Sequence, residues 1–154
     1  MNMKQVDNVS NLKLLEILNR LDFFKQFSLD DRHALLEDKL QVFFCKKGFR
    51  VFREGEIDAT FYLVLSGRVR IVQRKLNRTL GEVKAGQFLG EGAFITQGPR
   101  SASGVALEDT LLLRIDIEAL RSLAPAIREK LKDAIIAGMA KRIGELNERL
   151  QSVL

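Results

Sequence analysis

The sequence predicts an α+β fold, mainly β: a roll or jelly roll of short strands set between N-terminal helices and a long C-terminal helix. Nine glycines from Gly48 to Gly104 punctuate short runs rich in Val, Ile, Phe and Tyr, the pattern of strands joined by tight turns. Before Leu40 and after Ile115 the apolar residues return to a helical period. A length of 154 residues is one domain's worth, with enough chain to bury a core without covalent staples.

Each element has its own signal. Asn11–Phe24 places Leu14, Leu15, Ile17, Leu18 and Leu21 at helical spacing, with Ser10 positioned as N-cap. Ser28-Leu29-Asp30-Asp31 opens a second helix that runs through Ala34, Leu35 and Leu36. Strands follow at Val42-Phe43-Phe44, Phe61–Leu65 and Val69–Val72, and Lys75 to Arg78 reads as a hairpin connection in which Asn77 tolerates positive φ. Asp116 caps a short helix, Ile117–Leu123, and Pro125 stops it or stands in the first turn of the next. Ala126–Leu154 is then one long helix. Its second half carries Met139, Ile143, Leu146, Leu150 and Val153 at alternating spacings of four and three, a short heptad seam. The chain thus divides into N-terminal helices (1–39), a β region (40–115) and C-terminal helices (116–154).

Composition narrows the function. Hydrophobic residues make up 46% and charged residues 29% of the chain, an ordinary globular balance. The polar start leads into no apolar signal core, and the most apolar helical stretch, Ala134 to Ala140, is too short to span a bilayer. The single cysteine, Cys45, forms no intrachain disulfide and sits in an apolar strand as a buried thiol. A soluble, cytoplasmic protein without membrane insertion is expected. Twenty-five basic and 20 acidic residues give +5, and the β region alone holds twelve and seven. That centre suits a phosphate-bearing partner, but its bases are scattered along the sequence, so charge alone reads as a solvated surface.

Enzyme chemistry finds no support. His33, the only histidine, lies in the helical stretch Asp30–Asp38 and reads as exposed; one His and one Cys make no metal-ligand set. Neither a phosphate-binding P-loop nor a strand–GxGxxG–helix unit occurs. The informative segment is 86–103, where Gly90, Gly92 and Ala93 surround one acid, Glu91, and Arg100 follows nine residues later among Pro99, Ser101, Ala102 and Ser103. Small residues let a ligand approach the backbone, and a short turn can aim several N–H groups at an anion. Arg100 offers a fork for one monoanion, and Glu91 an acceptor for a sugar hydroxyl. The competing reading is a Glu91–Arg100 ion pair that braces a β loop.

Phe88-Leu89-Gly90-Glu91-Gly92-Ala93-Phe94, a five-residue loop and Arg100-Ser101-Ala102-Ser103 resemble the phosphate-binding cassette of cyclic-nucleotide-binding domains. Lys47–Gly55 resembles the family's strand–Gly–strand opening, and Phe61–Val69 its Phe-Tyr-Ile-Val-x-x-Gly-x-Val strand. The resemblance runs from about Phe23 to the C-terminus. It implies a β-roll of about eight strands with N-terminal helices and a hinged C-terminal B/C helix pair. By the same resemblance Arg100 binds the cyclic phosphate, Glu91 accepts from the ribose 2′-OH, and the amides around Gly90, Gly92 and Ala93 complete the phosphate site, with Ser101 and Ala102 beside it.

Two departures stand out: Gly92 stands where the family often has an aliphatic residue, which should leave the site intact, and Gly104 stands where it often has Val, a glycine that weakens strand propensity beside the pocket. A Thr after the cassette arginine favours cGMP in the family; Ser101 stands here, as it does in cAMP-binding members, so cAMP is the expected ligand and cGMP the alternative. The long helix, aligned through Met139–Ile143, puts Leu146 and Asn147 where base-contacting residues stand; the competing reading of Asn147 is a solvated helix residue.

No helix-turn-helix or kinase module follows within the chain, so a free-standing sensor reporting to a protein partner is expected, with no metal and with the seam serving as a homodimer contact or a lid. The alternative is a protein-interaction module of the same fold that is read irrespective of ligand.

Overall fold

Side chains fix the helix starts. Ser10 Oγ accepts from Lys13 N at 3.2 Å and begins α1 (Asn11–Arg20). Ser28 and Asp31 cap each other reciprocally, Ser28 N donating to Asp31 Oδ2 at 3.0 Å and Asp31 N to Ser28 Oγ at 3.1 Å, at the head of α2 (Leu29–Glu37). Asp116 Oδ1 accepts from Ala119 N at 2.7 Å to start α4 (Ile117–Ser122), and Pro125 stands first in α5 (Pro125–Val153). The computed structural model describes residues 3–7, 9–37 and 40–153; the expected helix ends at Asp38 and Leu154 lie outside them. The helical reading of Asn11–Phe24 resolves into α1 and a 3₁₀ turn, Asp22–Phe24.

Nine strands occupy the described residues, in two antiparallel sheets. The first has the order β1 (Met3–Gln5), β2 (Gln41–Cys45), β9 (Thr110–Asp116), β4 (Thr60–Ser66), β7 (Phe88–Leu89). The second runs β3 (Arg50–Phe52), β8 (Ser103–Ala106), β5 (Arg68–Gln73), β6 (Arg78–Lys84). The hairpin joining β5 to β6 turns where the sequence predicts, with Asn77 at φ 47°. Strand β1 was not anticipated; three half-polar residues carry no periodicity, and pairing with β2 alone makes them a strand.

The apolar run Phe61–Leu65 is buried throughout because both faces of β4 are covered. Phe61, Leu63 and Leu65 pack into a cluster with Leu18, Phe24, Leu35, Ile127 and Leu131 of the helices. Tyr62 and Val64 point the other way, into a cluster between the sheets with Val51, Phe52, Val69, Leu89 and Leu112. Cys45 belongs to that inner cluster, and burial pushes its thiol up to about 11. The layers are therefore helices, first sheet, second sheet, a β-roll with flanking helices. Helix α5 is tied down along its first half: Ile127 and Leu131 are buried, and Lys130 Nζ meets Asp31 Oδ2 at 2.5 Å.

Candidate functional site: a buried arginine beside a glycine turn

Strand β7 ends at Leu89, and the chain turns at Gly90 into a six-residue helix, α3 (Glu91–Thr96). Gly90 has φ 81°, a left-handed conformation that glycine adopts freely. A Cβ there would also lie 2.5 Å from Arg100 Nη1, so any side chain at this position has to displace the guanidinium. The sequence reads this stretch as a short turn; the structure makes it a helix whose first-turn amides have no partner of the i−4 kind. Gln97 closes α3 in the left-handed region at φ 56°.

Arg100 is 3% exposed. Its backbone is clamped to the β3–β4 connection, Arg100 N donating to Glu56 O and Gly55 N to Arg100 O, each at 2.8 Å. Its guanidinium donates from Nη1 to Gly90 O at 2.9 Å and from Nη2 to Thr60 Oγ1 at 3.1 Å, while Asp58 Oδ2 lies 3.7 Å from Nη2. The guanidinium carbon sits 4.5 Å from the centre of the Phe52 ring. Burial lowers the pKa of Arg100 and the negative charge of Asp58 opposes it; the group stays cationic. Its buried Nε finds no acceptor among the described residues, as is also true of Arg32 and Arg114, but of the three only Arg100 lines a cavity with the cassette residues.

The ion pair of the competing reading, Glu91 with Arg100, does not form. Glu91 Oε1 instead accepts from Arg142 Nη1 of α5 at 2.6 Å, and Arg142 Nη2 donates to Phe88 O at 2.6 Å. The Arg142 guanidinium carbon also lies 5.3 Å from the centre of the Phe88 ring. Helix α5 reaches this spot because Gly138 lets it approach: a Cβ at Gly138 would collide with the edge of the Phe88 ring.

A cavity of about 210 Å³ joins these groups, lined by Gly90, Glu91, Gly92, Ala93, Arg100, Ser101 and Ala102 of the cassette. Phe52, Ile71, Val83 and Leu89 supply its apolar wall and Arg142 its rim. Seven of the eight residues singled out in the sequence thus meet at one cavity. Asn147 is exposed and lies outside its lining. Arg142 was missed; its signal was a cation one turn beyond Gly138 on the inward stripe Leu131, Ala134, Gly138. A Cβ at Gly92 would meet nothing within 4 Å, so the missing aliphatic side chain leaves the turn intact. At Gly104 a Cβ would press on Val69 at 3.2 Å and on Leu89 and Phe52 at 3.4 Å, so glycine fits this crowded spot. Among the described residues no three His, Cys, Asp or Glu side chains cluster to hold a metal ion, and no helix is long and apolar enough to cross a membrane.

Comparison with known proteins agrees with this geometry. Residues 42–125 match the sequence model of the cyclic nucleotide-binding domain. The cyclic AMP receptor protein of Thermus thermophilus is 36% identical over 110 residues, which are 68% of this chain and 49% of that protein. Human cGMP-dependent protein kinase 2 is 32% identical over 108 residues, 65% of this chain and 14% of the kinase. The chain therefore spans about half the length of the first relative and a small part of the second. A crystal structure of a cyclic nucleotide-binding domain from Methylobacillus flagellatus superposes with a TM-score of 0.83 over 99% of this chain and 90% of that one, at 24% identity, a likeness of fold. From the matched cassette and the shared β-roll, the chain belongs to the cyclic nucleotide-binding domain family.

Proposed function

We propose that this domain, residues 1–154, is a cytoplasmic, non-enzymatic receptor for a 3′,5′-cyclic nucleotide, cAMP in preference to cGMP, and that it signals to a protein partner by moving α5. The observation that carries the reading is Arg100: a buried cation with a free Nε donor, lining a cavity beside the open amides of Gly90–Ala93. In this reading the cyclic phosphate takes Arg100 and the amides of the α3 turn, the ribose 2′-OH takes Glu91, and Ile71, Val83 and Leu89 face the apolar parts of the ligand. Ser101 and the name of the Thermus relative support cAMP.

Glu91 supplies the switch. It is bound to Arg142 of α5, so a ribose hydroxyl and Arg142 compete for one carboxylate. Ligand binding then changes the contacts that hold the helix, which is the differential interaction a conformational shift requires. A shifted α5 brings Leu146 and Asn147 toward the base, or frees the seam. Ile143, Leu146, Leu150 and Val153 are 57%, 49%, 62% and 84% exposed, an apolar stripe suited to pairing with a second copy of the helix.

Calorimetric titration with cAMP and cGMP tests the reading. Micromolar or tighter cAMP binding is expected; cGMP binding tenfold tighter than cAMP reverses the preference. Millimolar or weaker binding of both leaves the ligand-independent interaction module, which the Arg142-occupied Glu91 favours.

A further inference from the structure

Strand pairing gathers charge that the sequence disperses. The β5–β6 hairpin, residues 68–84, holds six basic side chains and one acid, Glu82. Its formal charge of +5 equals that of the whole chain, so the other residues balance. Arg68 is taken up by Glu82 at 3.3 Å and Glu108 at 3.2 Å. Arg70, Arg74, Lys75, Arg78 and Lys84 are exposed and have no ion-pair partner among the described residues. Two leucines stand among these cations. Leu76, in the turn, is 57% exposed and Leu80 is 44% exposed. The register slips between Ile71 and Val72, which leaves Leu80 without a cross-strand partner.

A solvated basic surface explains the arginines but not the leucines. A nucleic acid would accept hydrogen bonds from the cations and offer aliphatic side chains little. A bilayer with anionic headgroups suits both, because phosphates pair with Arg and Lys while aliphatic side chains enter the acyl boundary. We propose that the β5–β6 hairpin docks on the surface of an anionic phospholipid bilayer, with Leu76 and Leu80 inserted and the five free cations at headgroup level. The domain lies on the membrane in this arrangement and does not cross it. The same strands supply Ile71 and Val83 to the cassette cavity, and Gln73 Nε2 donates to Ser101 O at 3.3 Å, so a docked hairpin adjoins the nucleotide site.

The test uses the full chain without nucleotide, so its outcome is independent of the proposed ligand. The sequence contains no tryptophan, and Leu76→Trp installs a single reporter. Its emission should shift to the blue on vesicles of phosphatidylcholine with phosphatidylglycerol and stay unchanged on phosphatidylcholine alone. In co-sedimentation with the mixed vesicles, Arg74→Gln with Arg78→Gln should lower partitioning about thirtyfold, from about fivefold per cation. Leu76→Ser with Leu80→Ser, which keeps the charge, should also lower it severalfold. All four positions are exposed, and an unchanged thermal melt confirms the fold of each variant. No blue shift on the mixed vesicles overturns the proposal. So does wild-type partitioning of the leucine variant, or an equal response to soluble heparin, which would assign the hairpin to a polyanion or an acidic protein.

Discussion

A guanidinium at 3% exposure is held by its surroundings as much as by any ligand, so its removal should separate binding from folding. Arg100→Ala is expected to lose about 2–5 kcal/mol of cAMP affinity, roughly two to four decades. Arg100→Lys should recover little, since an ammonium has neither the fork nor the reach to Gly90 O and Thr60 together. Titration of both variants, each shown to melt cooperatively, checks this; wild-type affinity in Arg100→Ala would mean that the cyclic phosphate sits elsewhere. Gly90→Ala probes the same group from outside, because the added methyl would meet Arg100 Nη1 at 2.5 Å from a backbone at φ 81°. It should weaken cAMP binding at least tenfold, by displacing the guanidinium and straining the turn. Glu91 and Arg100 were legible because one local motif, with Arg100 nine residues after Glu91, carries both. Arg142 was not, since it stands 51 residues from Glu91. Asp58 and Thr60, which hold Arg100 from β4 and the loop before it, were equally invisible to local pattern.

Elements were legible where a local group starts or ends them. Ser10, the Ser28–Asp31 pair, Asp116 and Asn77 each stand where a helix or hairpin demands them. Helix α3 and strand β1 were not legible, being six and three residues whose form depends on neighbours in space. The contact of α5 with β7 is another product of folding. Gly138 reads as a weak point in a helix, about 1 kcal/mol worse than alanine by propensity. In the fold it is the position where the helix backbone passes the Phe88 ring. That ring is 2% exposed and packed on Phe23 and Phe61, so it has little room to retreat. Gly138→Ala should therefore raise the intrinsic helicity of α5 yet push its second half off the roll. Faster amide exchange over 139–153, with exchange over 126–135 unchanged, is the expected result. Unchanged protection throughout would show that Phe88 accommodates the methyl.

At the scale of the whole molecule, α5 has two unlike halves joined at Gly138 and Met139. The first is anchored by Ile127, Leu131 and the Lys130–Asp31 pair; the second is held to the roll by Arg142, through Glu91 and Phe88 O. Beyond Arg142 the apolar side chains of the seam are exposed, and Arg142 is the last described side-chain tie between the helix and the roll. A ligand that takes Glu91 weakens that hold, and reciprocity requires that weakening the hold favours the ligand. Arg142→Gln should thus raise cAMP affinity by about three- to tenfold, the scale of one partly exposed, hydrogen-bonded ion pair. In wild type, saturating cAMP should change amide exchange over 136–153 and leave the core strands β4 and β9 as protected as before. In Arg142→Gln the ligand-free protein should already exchange like the cAMP-bound wild type over those residues. If the released seam pairs with a second copy, sedimentation equilibrium should show cAMP shifting the protein toward dimer, and Leu150→Glu with Val153→Glu should abolish the shift. Identical exchange with and without cAMP would reduce α5 to a fixed strut. Lower cAMP affinity in Arg142→Gln would make Arg142 a ligand contact, and the helix a lid that closes on the nucleotide instead of a latch that the nucleotide opens.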